Sequence, residues 1–133
     1  MSGTIRYLSP EWRNEVERLL KAELSPEKMN NISSSMSNIY RNCPDGTERF
    51  FHVKFENGAV SAVLVGDGAP PEAEFIITGD YEVFARISRA ELGAQKALMT
   101  GKLKLKGNMV KALKLASVVD RLNKVIAKIQ AEY

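Results

Sequence analysis

The chain has 133 residues, of which 44% are hydrophobic and 26% are charged, and its formal net charge is +3. These values are typical of one globular domain, and they exclude a disordered segment and a small disulfide-stabilised fold. No apolar run approaches the roughly 20 residues that cross a bilayer, and the amino terminus lacks the apolar core of a signal peptide, so we expect a single cytoplasmic domain over residues 1–133.

The first predicted element is an amphipathic helix that begins at Ser9-Pro10-Glu11. A serine cap and a first-turn proline favour a helix start, and Trp12 and Val16 follow at helical spacing. Ser25-Pro26-Glu27 repeats the start signal, and the apolar residues after it also fit helical spacing. These residues are Met29, Ile32, Met36, Ile39 and Tyr40. We therefore predict a second helix there, followed by a turn at Pro44-Asp45-Gly46.

Three strands are predicted in the middle of the chain. Apolar and polar residues alternate over residues 51–56, as in a strand with one buried face, and this alternation places His52 on the solvent side. Asn57-Gly58 favours a tight turn, so residues 59–65 should return as the second arm of a hairpin. After a loop rich in Gly and Pro, residues 73–79 alternate in the same way.

Helical patterns dominate the rest of the chain, with one strand between them. Asp80 can cap a helix, and Gly93 separates that helix from a short helical segment at residues 94–99. Residues 102–106 alternate lysine with leucine, a pattern that protects an edge strand from aggregation. Residues 109–130 carry the strongest helical pattern of the chain. Its main apolar row consists of Met109, Leu113, Ala116, Val119, Leu122, Ile126 and Ile129.

Basic residues are concentrated at the carboxyl-terminal end. Residues 1–100 contain 11 basic and 14 acidic residues, whereas residues 101–133 contain 8 basic and 2 acidic residues. This quarter of the chain is a candidate docking surface for phospholipid headgroups or nucleic acid, and its plain alternative is a solvated polar face. Its lysines lack interleaved aromatic residues and no helix-turn-helix pattern accompanies them, which disfavours nucleic acid.

The residue types that catalysis and metal binding require are scarce. One histidine and one cysteine are too few for a common zinc site. Cys43 lies beside a turn with no sequence neighbour that would activate its thiol, and a solvent-facing His52 is a weak candidate for a catalytic base. The glycines form no phosphate-binding motif. We therefore expect no catalytic residue, no metal and no cofactor.

Three segments of the sequence resemble the sterol carrier protein type 2 family. They are Phe75-Ile76-Ile77-Thr78-Gly79-Asp80, Val83-Phe84, and Met99-Thr100-Gly101-Lys102-Leu103-Lys104-Leu105-Lys106-Gly107-Asn108-Met109. The family has an apolar strand, a short helix, and a Gly-Lys-Leu-Lys-like strand that ends at Gly-Asp or Gly-Asn before the last helix. The resemblance implies an α+β fold, in which helices cover a mostly antiparallel five-stranded sheet and enclose an apolar ligand tunnel.

The resemblance also implies a function, which is non-enzymatic binding and intracellular transfer of fatty acids, fatty acyl-CoA, phospholipids or sterol-like molecules. Apolar side chains of the sheet and of the closing helices would contact the lipid. The matching positions are Phe75, Ile77, Phe84, Ile87, Leu98, Met99, Leu103, Leu105, Met109 and Leu113. Apolar residues at strand or helix spacing are core by default, so ordinary packing is the alternative for each of them.

Two further expectations concern partners and location. We expect lysines of the basic quarter to bring the domain to an anionic membrane, at roughly 1 kcal/mol for each basic group near the surface. They are Lys102, Lys104, Lys106, Lys111 and Lys114. The alternative is a non-catalytic accessory module that supports a lipid- or quinone-metabolising enzyme. Peroxisomal members of the family end in a Ser-Lys-Leu-type signal, whereas this chain ends in Gln130-Ala131-Glu132-Tyr133, which disfavours a peroxisomal address.

Overall fold

A computed structural model of the protein describes residues 5–132, except for the side chain of Ala116. The elements in chain order are β1 (Ile5–Arg6), α1 (Pro10–Glu23), β2 (Ser34–Arg41), β3 (Arg49–Glu56), β4 (Ala59–Asp67), β5 (Phe75–Asp80), α2 (Tyr81–Ser88), α3 (Ala94–Met99), β6 (Leu103–Lys106), α4 (Met109–Lys114), α5 (Ala116–Ile126) and β7 (Ala131–Glu132). The first four residues, which belong to the segment without a signal-peptide pattern, and Tyr133 at the other end lie outside the described residues. None of the described helices is both long and apolar enough to cross a membrane.

Five strands form one mixed sheet in the order β4-β3-β2-β5-β6. Three neighbouring pairs are antiparallel, and β2 with β5 is parallel. The α+β fold with a mostly antiparallel five-stranded sheet is therefore confirmed. The lysine-leucine strand β6 occupies an edge, as its charge pattern predicts, with Leu103 buried and Lys104 exposed. The short strands β1 and β7 pair in parallel outside this sheet.

The predicted hairpin joins β3 to β4. Asn57 and Gly58 have φ values of 51° and 83°, as a two-residue turn with positive φ at both positions requires. The Gly58 amide also donates to the Ile32 carbonyl at 2.7 Å. A Cβ atom at Gly58 would lie 2.5 Å from the Pro26 carbonyl oxygen, so only glycine allows this turn to pack against residues 26–32.

The second predicted helix is wrong. Its start signal produces a single turn, in which the Met29 amide donates to the Ser25 and Pro26 carbonyls. Asn30 and Asn31 then take φ values of 54° and 51°, and this left-handed backbone ends the turn. The residues that follow form β2, a central strand between β3 and β5. The hydrogen bonds that β2 forms with two neighbouring strands stabilise the extended conformation more than the spacing of a few apolar residues favours a helix.

The predicted exposure of His52 is also wrong. His52 lies on the sheet face opposite Phe51 and Val53, as the alternation requires, but it is only 4% exposed. The connection from β4 to β5 must pass from one side of β3 and β2 to the other, and Ser37 beside His52 donates to the Pro71 carbonyl in that connection at 3.0 Å. The connection therefore covers this part of the outer face.

The long carboxyl-terminal helix is divided in two. Helix α4 ends at Lys114, and Leu115 has φ −90° and ψ 2° between α4 and α5. Helix α5 ends at Ile126, four residues before the predicted end, and residues 127–130 lead into β7. The break turns the two halves so that apolar side chains from both face the inner side of the sheet.

Helix α1 and an aromatic cluster fill one end of the space between helices and sheet. Ser9 Oγ accepts from the Trp12 amide at 3.1 Å, which confirms the predicted cap, and Trp12 is 1% exposed. Trp12 contacts Tyr7 and Phe51 edge-on, and Tyr40 lies 4.2 Å from Phe84 between ring centroids. These rings pack between helices and sheet at the end of the sheet where α2 begins.

Candidate functional site: an apolar cavity under helices α3 to α5

A cavity of ≈ 80 Å³ lies at the sheet end opposite the aromatic cluster. Its floor is formed by the start of β2, the end of β3, the start of β5 and strand β6, and its roof by α3, α4 and α5. The lining residues are Met29, Ile32, Ser34, Ser35, Met36, Val53, Phe55, Phe75, Ile77, Ala94, Gln95, Leu98, Leu103, Leu105, Ala112, Leu113, Leu115, Val118, Val119 and Leu122. Ser34, Ser35 and Gln95 are the polar side chains among these described residues, so the interior is almost entirely hydrocarbon.

The pleat of the sheet explains this apolar floor. Alternate residues of a strand face the same side, so Val53 and Phe55 point inward from β3 while Lys54 points outward. Leu103 and Leu105 face inward from β6 in the same way. Gly79 makes room for Leu103, because a Cβ atom there would lie 2.4 Å from Leu103 Cδ2. The floor is thus set by the period-two pattern of the sequence.

A smaller void of ≈ 30 Å³ continues from the cavity toward the aromatic cluster. The side chains that line both spaces are Met36, Ile77, Ala94, Leu103 and Val119. Phe84 and Ile87 line the far side of this void together with Tyr40. Movement of the shared side chains would join the two spaces into one longer channel.

The structure gathers most of the sequence-predicted ligand positions around these spaces. Six of them line the cavity: Phe75, Ile77, Leu98, Leu103, Leu105 and Leu113. Phe84 and Ile87 border the smaller void. Met99 and Met109 are 73% and 44% exposed and lie outside both linings, because each occupies the end of a short helix with its side chain turned outward.

Sequence reasoning did not assign several lining residues to the site. Met29 and Ile32 come from the turn that was predicted to be helix, and Met36 comes from β2. Val118 and Leu122 belong to α5, which faces the cavity because the chain bends at Leu115. Apolar residues over 109–130 extend beyond the main row, to Val110, Val118 and Val125. This wide apolar surface was the sequence signal that more of the helix could line a cavity.

Glu74 links α4 to the sheet at the edge of the cavity. Its carboxylate accepts from Ser34 Oγ at 2.5 Å and pairs with the ammonium group of Lys111. Its amide donates to Ser35 Oγ at 2.9 Å. The hydrogen bond from Lys111, followed by that from Ser34, holds the pKa of Glu74 below its ordinary value, so the carboxylate is ionised near neutral pH.

The remaining ionisable groups among residues 5–132 form no reactive cluster. Burial raises the pKa of the Cys43 thiol and, together with the charge of Lys54, lowers the pKa of His52, so neither group is activated in its buried position. No group of three or more potential metal-binding side chains occurs in the part of the chain that the structure describes. The cavity can therefore hold an apolar molecule, and the described residues that line it include no ionisable side chain.

Comparison with known proteins agrees with this fold. The sequence profile of the SCP-2 sterol transfer family matches residues 16–120. The chain belongs to the SCP-2 sterol transfer family. The matched residues include the whole cavity floor and most of its roof. A crystal structure of sterol carrier protein 2 has a TM-score of 0.81 with this chain over 93% of it and 99% of that chain, at 22% identity. At 22% identity, the similarity to this crystal structure is evidence for the same fold.

Two curated relatives match this chain over only part of their own length. Hydroxysteroid dehydrogenase-like protein 2 of Rattus norvegicus is 29% identical over 110 residues, which cover 82% of this chain and 20% of that protein. Oleate-induced peroxisomal protein POX18 of Candida maltosa is 40% identical over 58 residues, 43% of this chain and 45% of that protein. The chain thus spans less than half the length of either relative.

Proposed function

We propose that the protein binds apolar lipids in the cavity and carries them between membranes or to enzymes without transforming them. The observation that carries this proposal is a cavity whose walls are hydrocarbon apart from Ser34, Ser35 and Gln95. Burying an alkyl chain there gains about 0.8 kcal/mol per methylene, so binding requires few polar contacts. Membership of the SCP-2 sterol transfer family supports the same function.

Fatty acids, fatty acyl-CoA, phospholipids and sterol-like molecules are the proposed ligand class. In each of them an apolar body would enter between sheet and helices, while a polar end would lie near Ser34, Ser35 or Gln95 at the cavity edge. An apolar wall discriminates poorly between hydrocarbon shapes, since one methylene changes affinity by only about 0.8 kcal/mol. We therefore propose a carrier with broad selectivity.

We also propose that the domain acts without catalysis, as one unit of 133 residues, and in the cytoplasm. The cavity walls contain no ionisable side chain, which supports a binding role over a chemical one. The five basic positions Lys102, Lys104, Lys106, Lys111 and Lys114 are all exposed. We propose that they draw the domain to anionic membranes, and their replacement by glutamine should weaken its binding to anionic vesicles.

A cavity-filling variant tests the carrier function. Ala94 lines both spaces and is half-buried, so Ala94→Leu places three additional carbon atoms in the path of a lipid. We expect affinity for a fluorescent fatty acid to fall about four-fold for each methylene that the new side chain displaces. Ala59→Leu makes the same change at an exposed site on the far edge strand β4 and should bind like wild type.

The outcomes separate the carrier from the accessory module. Equal affinities for the two variants would show that the fatty acid binds elsewhere. Native mass spectrometry of the purified wild-type protein, followed by solvent extraction, should reveal a copurified lipid. Absence of lipid from the preparation, together with no fatty-acid binding, would favour the accessory module.

A further inference from the structure

Exposed apolar side chains lie on the two short helices of the cavity roof, α3 and α4. Met99 is 73% exposed, Val110 64%, Met109 44% and Leu113 38%. Met99 directly follows Leu98, and the other three belong to α4, whose Ala112 and Leu113 line the cavity. These four residues are called the rim patch here. Exposed apolar residues of this size that are grouped at a binding site indicate an interaction surface.

The charge around the rim patch selects an anionic partner. Helices α3 and α4, which carry the rim patch, contain Lys96, Lys111 and Lys114 and no acidic residue. Lys111 pairs with Glu74, whereas Lys96 and Lys114 form no ion pair within the described residues. Exposed apolar side chains next to unpaired lysines on the same helices fit the interface of an anionic bilayer, where side chains reach the acyl boundary and ammonium groups meet phosphates.

Helix α4 is weakly attached to the rest of the protein. It has no fully buried residue, although it forms part of the roof. It leaves β6 through Gly107, whose φ of 140° and close approach to the Phe75 ring suit glycine alone, and it ends at the bend of Leu115. Among the described residues, the ion pair that ties α4 to the sheet edge is Lys111 with Glu74.

We propose that the rim patch inserts into anionic membranes and that the Glu74–Lys111 pair is a latch, which a headgroup with net negative charge opens by replacing Glu74 as the partner of Lys111. Release of the latch lets α4 swing away from the sheet, so that the cavity faces the bilayer and not water. This mechanism rests on the proposed carrier function and adds the surface and the trigger for lipid exchange.

Insertion is tested with a fluorescent reporter on ligand-free protein. An environment-sensitive NBD group on Val110→Cys should shift to shorter wavelength on vesicles of equal parts phosphatidylcholine and phosphatidylserine, but not on phosphatidylcholine alone. Ser61→Cys, on the far edge strand β4, should show no shift. Wild-type protein, whose one thiol is buried, is the control for labelling at Cys43. Vesicle binding without a shift at Val110, or with equal shifts at both sites, would overturn insertion.

The latch is tested by transfer of a fluorescent fatty acid from the protein to neutral phosphatidylcholine vesicles. Glu74→Gln removes the charge that holds Lys111 and should speed transfer about two- to five-fold, the range expected for one exposed ion pair. Glu23→Gln is the matched control, because Glu23 forms a similarly exposed pair with Lys128 away from the cavity. Equal rates for the two variants and wild type would overturn the latch.

These results remain separate from the test of the carrier function. If wild-type protein binds no fatty acid, the carrier function fails, and the reporter at Val110 still measures insertion because it needs no ligand. If an acidic protein shifts the Val110 emission and anionic vesicles do not, the rim patch is a protein-binding surface and the membrane proposal is wrong.

Discussion

His52 shows how one buried side chain couples the sheet to its covering connection. Its Nδ1 lies 2.8 Å from Ser37 Oγ, and that hydroxyl donates to the Pro71 carbonyl at 3.0 Å. Because the hydroxyl has one hydrogen and uses it for Pro71, His52 Nδ1 is the donor in the other bond. Ser37 is fully buried, so all three groups depend on each other for hydrogen bonds.

This arrangement predicts that the protein loses stability in mild acid. Burial, followed by the charge of Lys54, lowers the pKa of His52 below its ordinary value of 6.5, so the unfolded chain binds a proton more readily than the folded one. The contribution of His52 is complete above the ordinary pKa, declines as the pH falls through it, and levels off below the lowered value. The urea unfolding midpoint should therefore fall between about pH 7.5 and pH 5.5.

His52→Gln gives the comparison, since its amide can still donate to Ser37 but does not titrate in this range. The variant should be less stable than wild type at neutral pH and should lose less stability on acidification. His52 is the one histidine of the chain, which makes the difference easy to assign. The same pH dependence in both proteins would contradict the assignment.

At the scale of elements, the β3–β4 hairpin depends on its contact with residues 26–32 as well as on its own turn. Gly58→Ala must accept strained positive φ and a close approach to the Pro26 carbonyl oxygen, which is 2.5 Å from the position of the new Cβ atom. We expect a loss of about 3 kcal/mol or more in the free energy of unfolding.

Gly68→Ala separates the two causes of that loss. Gly68 has a similar φ of 88°, but a Cβ atom there would have no neighbour within 4 Å. Its loss should be about 1 kcal/mol, from backbone strain alone. Urea denaturation of both variants measures the difference. Equal losses would mean that the packing of the turn against residues 26–32 contributes nothing.

The same hairpin marks the limit of what the sequence predicts. The Asn57-Gly58 turn and the alternation in β3 and β6 are local signals, and the structure confirms them. Strand β2 has no such signal, because its buried positions include Ser37 and Asn38, which look like surface residues until the sheet and the β4–β5 connection surround them. Its helical spacing was therefore misleading.

The bend at Leu115 is another product of tertiary packing. Residues 109–130 contain no proline and no glycine, so nothing local ends the helix at that point. The bend brings Leu113 of α4 and Val118 of α5 to one cavity, although a straight helix would point them in different directions. The sequence thus predicted much of the floor of the candidate site, whereas the roof required the fold.

At the scale of the whole molecule, the two ends of the sheet have different roles. The aromatic cluster at one end is closely packed, and Tyr7 Oη donates to Tyr40 Oη at 3.0 Å and lies 2.8 Å from Ser88 Oγ. The other end has the cavity and the weakly attached α4. Rigid packing at one end can maintain the fold while the other end changes to admit a lipid.

The size of the cavity predicts how affinity depends on chain length. A volume of ≈ 80 Å³ accommodates only a short alkyl segment without rearrangement of the cavity walls. Affinity of saturated fatty acids should rise about four-fold per methylene while the chain is short enough to fit this volume. Longer chains must move α4 or the side chains shared with the smaller void, so each further methylene should add less.

Displacement titrations with fatty acids of about six to sixteen carbons measure this dependence. The expected curve has two slopes, and Glu74→Gln should steepen the second slope because α4 then moves more easily. A single steep slope over the whole series would mean that a long channel is already open in solution. Affinity that does not change with length would mean that the chain stays outside the cavity, since only buried methylenes contribute to binding.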